Sequence, residues 1–458
     1  MEENKKAKIK NRECSTAFKW FHATSNYGGP QLIYATVVSY LSVFLTDTVG
    51  IAAGAASLIL LLGSVWDIIN DPLMGAIADR TNTKMGRYRP YYTIFPVLFA
   101  FVSIMLFLNP QGLTSTQKVV YIAVFYILFG MTTTILTMPH MAILPACTKN
   151  NEERNSIISL GGAITAIAYL IASSFTTNFL EWTNGSYVPL MVIYGILGII
   201  AFWGLFATAK EKYLKPIDKS QSFAKELKMF FSHKEIYPVM VTWFLVAIGY
   251  GLMFSSSVYY IMYYAGRPDL ITSYMLVLSG GALLSMAVLL PIALRIFKTG
   301  HRALMVTQLA TGVLYVLAFI LGKESLILLY VISFLATSMS AMSNALVNVL
   351  VNDTIDFIQM KDGNTLNGII SSIKGFANKC GGTFVNSGIL AILAATGYVA
   401  GAVGQQPESV MIGLNMIRFG IPAIVAFLLA LLLKFYPLKK YYPQLQEMRE
   451  NMKANDEA

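Results

Sequence analysis

Two carboxylates four residues apart, Asp67 and Asp71, with the amide of Asn70 beside them, interrupt an otherwise apolar run at Trp66-Asp67-Ile68-Ile69-Asn70-Asp71-Pro72-Leu73-Met74-Gly75. In a helix, that spacing stacks both carboxylates on one face. Hard oxygen ligands grouped this way suit Na+ or Li+, or share one proton if their charges repel. Pro72 frees a backbone carbonyl one turn earlier, a further oxygen for a cation. The structural alternative is that the two acids pair with basic residues and hold helices together, although polar contacts between membrane helices more often use Ser, Thr or Asn. The candidate basic partner is Lys379, in Ala377-Asn378-Lys379-Cys380-Gly381-Gly382. A lysine beside the carboxylates would balance their charge at the empty site and yield when a cation arrives, coupling occupancy to helix movement.

The elements that must position these groups are membrane-spanning helices. Of 458 residues, 13% are ionisable and 55% hydrophobic, with a mean hydropathy of +0.58. Soluble domains carry about 25% charged residues, so an ordinary cytosolic enzyme is excluded. A helix needs about 20 apolar residues to cross the hydrocarbon core. Ten stretches free of Asp, Glu, Lys and Arg qualify: 20–46, 90–117, 119–148, 155–180, 186–209, 236–266, 270–294, 303–322, 325–352 and 380–407. Two interrupted stretches, 48–78 with its carboxylates and 409–433 with Arg418, bring the expectation to twelve spans. The predicted fold is an all-α polytopic membrane protein of two pseudo-symmetric six-helix halves. Its predicted parts are a leader (1–18), a first half (19–209), a polar linker (210–234), a second half (235–436) and a tail (437–458). Two halves about a midplane site suggest a transporter.

Basic residues set the orientation. With the N-terminus inside, 27 of the 34 Lys and Arg fall on the inner side and three, Lys118, Arg267 and Lys323, on the outer side. The positive-inside rule therefore predicts cytoplasmic termini in a plasma membrane. The net charge of +10 needs no nucleic-acid partner, because basic inner loops face anionic lipid. The basic leader has no small-residue cleavage site after it and is not read as a signal peptide. Cys14, Cys147 and Cys380 are assigned no chemistry, and no outward disulfide is expected among them.

The helix-2 run, followed by Asp79-Arg80-Thr81 and Gly86-Arg87-Tyr88-Arg89-Pro90, resembles the signature of the glycoside-pentoside-hexuronide:cation symporters, a branch of the major facilitator superfamily. Tyr40-Leu41 with Phe44-Leu45-Thr46-Asp47, Met138-Pro139 with Leu144-Pro145, Asn352-Asp353-Thr354-Ile355-Asp356, and Lys379 with Gly381-Gly382 extend the resemblance over nearly the whole chain. It implies uptake of a sugar or sugar conjugate with Na+, Li+ or H+ by alternating access, with no other cofactor and no obligate protein partner. The resemblance assigns Asp67, Asn70, Asp71 and Thr134 to the cation site and Lys379 to coupling.

The substrate half departs from the family pattern. Two carboxylates, on helices 1 and 4, and an arginine on helix 5 are replaced by Gln31, Thr137 and Gly162. An aromatic becomes Met141, and a helix-11 glutamine and threonine become Lys374 and Gly375. The pocket gains positive charge, which favours an anionic ligand such as a hexuronide over a galactoside. Lys374 has a second reading, as a residue that snorkels to the interface. The expected substrate contacts are Gln31, Tyr34, Thr137, His140, Met141, Lys374 and Asn378. His140 is either a proton carrier or a histidine that packs helices. Arg418 is read as snorkelling or helix-pairing. Asn344, Asn348 and Asn352 form a stripe facing either the cavity or a neighbouring helix. Gly75, Asp79, Arg80, Arg87 and Arg89 form a stretched superfamily loop signature and are read as a gating latch, although positive-inside topology alone explains the arginines.

Other functions lack their residues. No H-E-x-x-H, G-x-S-x-G or glycine-rich phosphate loop is found, and Ser371-Ser372-Ile373-Lys374 matches S-x-x-K only as a four-residue coincidence. Repeated selectivity loops of a channel are missing too. Lysolipid symporters resemble the same family, so an amphipathic lipid or steroid conjugate is the alternative substrate.

Overall fold

The computed structural model describes residues 13–214, 223–363 and 367–448. It has two compact units, Met1–Ile217 and Asp218–Ala458, whose boundary falls inside the polar 210–234 stretch. In the first unit, α1 runs over Thr16–Thr48, α2 over Ala53–Arg80, α3 over Phe95–Leu106, α4 over Ser115–Cys147, α5 over Asn151–Trp182 and α6 over Val188–Thr208. A short helix, Phe223–Ser232, precedes the second set. There α7 covers Ile236–Tyr264, α8 Pro268–Phe297, α9 Gly300–Leu321, α10 Leu326–Asp362, α11 Asn367–Thr396 and α12 Glu408–Met448.

Among the described residues, ten of these helices are long and apolar enough to cross a bilayer. Helices suit that setting because each satisfies its own backbone polar groups where no water can. The other two are α3, a shorter apolar helix, and α11, which carries Lys374 and Lys379. Within the first unit the main packed pairs are α2 with α4, α1 with α5 and α6, and α3 with α4 and α6. Within the second they are α8 with α10, α7 with α11 and α12, and α9 with α10 and α12. Adding six to each label of the first set gives the second, so the two units repeat one packing scheme.

Several boundaries differ from those read off the sequence. The first span begins at Thr16, where the Ser15 side chain accepts a hydrogen bond from the Phe18 N–H and caps the helix. The third contains only 12 helical residues, Phe95–Leu106, after a 3-10 turn at Arg89–Tyr92, because Pro90 and Pro96 each restart the backbone. The tenth continues to Asp362, well beyond Asn352, and therefore carries the Asn352–Asp356 motif on the helix. The eleventh starts at Asn367 and stops at Thr396, not at 380 and 407. Freedom from charge is the wrong criterion there, because two lysines lie within the helix and the uncharged 397–407 segment is a loop.

Arg418 does not snorkel. Its side chain is fully buried in α12, donates to the Tyr274 hydroxyl of α8 at 3.0 and 3.3 Å, and lies 4.8 Å from the Phe419 ring centre. The helix-pairing role is the one the packing supports. The three cysteines are free thiols. Burial, more than any other influence, pushes the Cys14 thiol up to about 12, so it stays protonated at neutral pH.

Candidate functional site

The carboxylate pair of α2 meets α4. Both helices are long and apolar, and α4 is anchored at its start by a reciprocal cap: Gln117 N–H donates to Thr114 Oγ1, and Thr114 N–H donates to Gln117 Oε1. From there the helix carries Gly130 and Thr134 to the level of Asp67 and Asp71. Thr134 Oγ1 donates to Asp71 Oδ1 at 2.7 Å. One turn earlier, Gly130 lies so close to Asp67 that a Cβ there would collide with Asp67 Oδ1. The i, i+4 spacing of the acids on α2 is thus matched by an i, i+4 pair on α4, a glycine that makes room and a threonine that donates. Asn70 is buried, and its Nδ2 has no hydrogen-bond partner in the structure. Asp67, Asp71 and Thr134 therefore belong to one α2–α4 contact, with Asn70 buried on α2 between the acids in sequence, and these oxygen-bearing residues could ligate a single monovalent cation, or hold a proton between the acids.

Beside this contact is a cavity of about 180 Å³, lined from α1 by Asn26, Gln31 and Tyr34, from α4 by Thr133 and Thr137, and by Phe99, Phe129 and Phe202. No residue lining it is ionisable at neutral pH. Aromatic faces with a few amides and hydroxyls are the usual lining of a small-molecule site. Thr133 reaches the cavity and its neighbour Thr134 reaches Asp71, so consecutive residues of α4 serve both places. Tyr34 lines the cavity from α1.

The remaining expected residues lie elsewhere. His140 is buried with its ring 4.1 Å from that of His22, and its Nε2 meets the His22 carbonyl at 2.9 Å. It packs α4 against α1 and does not line the cavity. Met141 is exposed and outside the cavity lining. Lys374, Asn378 and Lys379 are on α11 of the second unit, each half-buried, and Asn378 Oδ1 is buried without a hydrogen-bond partner. Gly381 lets α11 approach α7, since a Cβ there would come within 2.5 Å of Ala247 Cβ. Asn348 and Asn352 of the asparagine stripe are exposed, and Asn344 is half-buried.

In the latch, Arg80 is exposed at the end of α2, whereas the side chain of Asp79 lies outside the described residues. Arg89 Nε donates to the Phe206 carbonyl at 3.0 Å, with its guanidinium 4.8 Å from the Phe206 ring centre. Sequence reasoning missed Asn26, Thr133 and Phe202 in the cavity, and Glu211, whose carboxylate accepts the backbone N–H groups of Arg87, Tyr88 and Arg89. Of these, only Glu211, an acid in a basic segment, carried a visible signal.

The sequence matches the family described as MFS/sugar transport protein over residues 27–440. The chain belongs to this family. Among its relatives is an uncharacterized symporter of Bacillus subtilis (strain 168), 29% identical, with 92% of each chain covered. Another is a glucuronide carrier protein homolog of Escherichia coli (strain K12), 24% identical, with 93% of each chain covered. A solved D-xylose-proton symporter has the same fold at a TM-score of 0.66 and 16% identity, covering 92% of this chain and 98% of that one. The protein is thus a multi-pass membrane transporter of the major facilitator type and not an enzyme.

Proposed function

We infer that the protein couples movement of a glycoside to that of a monovalent cation by alternating access, with an acidic glycoside such as a hexuronide as its substrate. The observation that carries the coupling is the Thr134–Asp71 hydrogen bond of 2.7 Å, on the helix that also lines the cavity with Thr133 and Thr137. A cation bound at Asp67 and Asp71 would draw on the same α4 segment that a sugar contacts, so each ligand biases the position of the other. That shared dependence is what a coupling free energy requires.

The acidic substrate is supported by charge. Where the family pattern has two carboxylates, Gln31 and Thr137 face the cavity, leaving this wall neutral. In the sequence, the family's helix-11 glutamine is replaced by the basic Lys374. The relative named as a glucuronide carrier homolog points the same way. Hydrogen-bonding groups at Asn26, Gln31, Thr133 and Thr137 favour a hydroxylated ring over an acyl chain, and so a sugar over a lysolipid. The excess of basic residues in the loops on the side of both termini supports a plasma-membrane protein with cytoplasmic ends.

The test is uptake of a glucuronide and of a neutral galactoside into sealed vesicles under an imposed Na+ or proton gradient, with the native protein and Asp71→Asn. Glucuronide accumulation that depends on one gradient and is lost in Asp71→Asn is the expected result, and the effective gradient identifies the cation. Uptake of galactoside alone would overturn the charge argument. Accumulation unaffected by Asp71→Asn would overturn the cation site.

A further inference from the structure

One arginine inside the second unit has no counter-charge. Arg418 is fully buried among Tyr260, Tyr274 and Tyr315, none of which is more than 2% exposed. Its Nε and Nη2 donate to the Tyr274 hydroxyl at 3.3 and 3.0 Å, and that hydroxyl lies 2.9 Å from Ser333 Oγ. The guanidinium sits over the Phe419 ring at 4.8 Å, and that ring packs in turn against Tyr260 and Tyr315, with ring centres 5.1 and 6.1 Å away. Nη1 has no hydrogen-bond partner, and neither has the buried Tyr315 hydroxyl. Among the described residues, no carboxylate pairs with Arg418.

A guanidinium keeps its proton in proteins, so it cannot shed the charge that burial penalises. Aromatic faces offset part of that charge, but they leave the N–H donors of Nη1 unmet, and an unmet buried donor is costly. The backbone is irregular at the same place. Arg418 and Phe419 lie in a π turn, Met416–Gly420, and Tyr260 opens another, Tyr260–Tyr264. Such turns insert a residue into a helix and recur at functional sites. Tyr260 is four residues before the end of α7, Tyr274 six after the start of α8, Tyr315 six before the end of α9 and Arg418 ten after the start of α12. The four side chains thus converge on the side of this unit away from the linker.

We propose that Arg418 and Tyr315 form a buried site for one small monovalent inorganic anion of the halide class, such as chloride. None of its residues lines the cavity of the first unit. A single positive charge calls for a single negative one. The forked edge of the guanidinium, Nε with Nη2, is taken by Tyr274, so the flat two-point contact that a carboxylate or phosphate prefers is closed to it, and the remaining Nη1 with one hydroxyl suits a spherical ion. A side chain with no exposed surface cannot meet a sugar or a lipid headgroup. The ion would neutralise the arginine and tie α12 to α9, as Tyr274 already ties it to α8. The site needs neither the substrate nor the coupling cation proposed above.

Thermal unfolding of the full-length protein in nanodiscs tests this, in choline chloride against choline methanesulfonate at equal ionic strength and pH, so that no coupling cation varies. Chloride is expected to raise the midpoint of the native protein by about 2–4 °C, with bromide acting in its place. Tyr315→Phe keeps the ring and removes one donor, and should raise the chloride concentration that gives half the shift by about ten-fold. Arg418→Met should melt at the same temperature in both salts. If that variant does not fold, the Tyr315→Phe titration decides, together with a bromide anomalous-scattering peak within hydrogen-bond distance of Arg418 Nη1 in crystals of the native protein. Equal melting of the native protein in both salts would assign Nη1 to buried water and overturn the site. A chloride response unchanged in Tyr315→Phe and Arg418→Met would be an ordinary salt effect and overturn it equally.

Discussion

Thr134 contributes one hydroxyl to the Asp71 carboxylate, and a hydrogen bond to a charged group is worth about 1.5–3 kcal/mol. Thr134→Ala should therefore raise the half-saturating cation concentration by about ten-fold or more, while Thr134→Ser stays near native. Cation titration of uptake at fixed substrate decides this, and an unchanged midpoint would remove Thr134 from the site. The acids were legible in the sequence because an ionisable residue in an apolar run is expensive enough to be informative by itself, whereas Thr134 came only from the family resemblance. His140 was not legible in this way. Its two readings differ only in what surrounds the ring, and the His22 carbonyl at 2.9 Å comes from another helix.

At the scale of the element, the register of α2 against α4 is what brings the two acids to Gly130 and Thr134. Gly130→Ala tests that register. The added methyl would collide with Asp67 Oδ1, so the carboxylate must turn or the helices must part, at a typical overpacking cost of about 1–3 kcal/mol. The expected outcome is a folded protein whose cation dependence is weakened by about ten-fold, read from the same titration. Native behaviour would mean that Asp67 does not act where α2 meets α4. Sequence reasoning located the cores of the spans well and their ends poorly. The eleventh shows why: charge-free residues mark what lipid tolerates, whereas a helix ends where its backbone hydrogen bonds end, here at Thr396 before Gly397 with φ +82°.

For the molecule as a whole, the proposed substrate rests on charge. Lys374→Met is expected to raise the KM for a glucuronide by about ten-fold and leave a neutral glycoside unchanged, since only the anion loses a charged partner. An equal effect on both substrates would assign Lys374 to packing instead. Hydropathy and the run from Trp66 to Gly75 determined the class of protein, an all-helical membrane transporter, and singled out the paired acids Asp67 and Asp71, because each depends on composition or on spacing along one helix. The cavity lining, the pairing of Thr134 with Asp71, the burial of Arg418 against Tyr274 and the seat of Glu211 at Gly86–Arg89 were decided only by tertiary structure. Each joins residues of different elements, 63 to 144 positions apart for the three pairings, and no local periodicity encodes such a meeting.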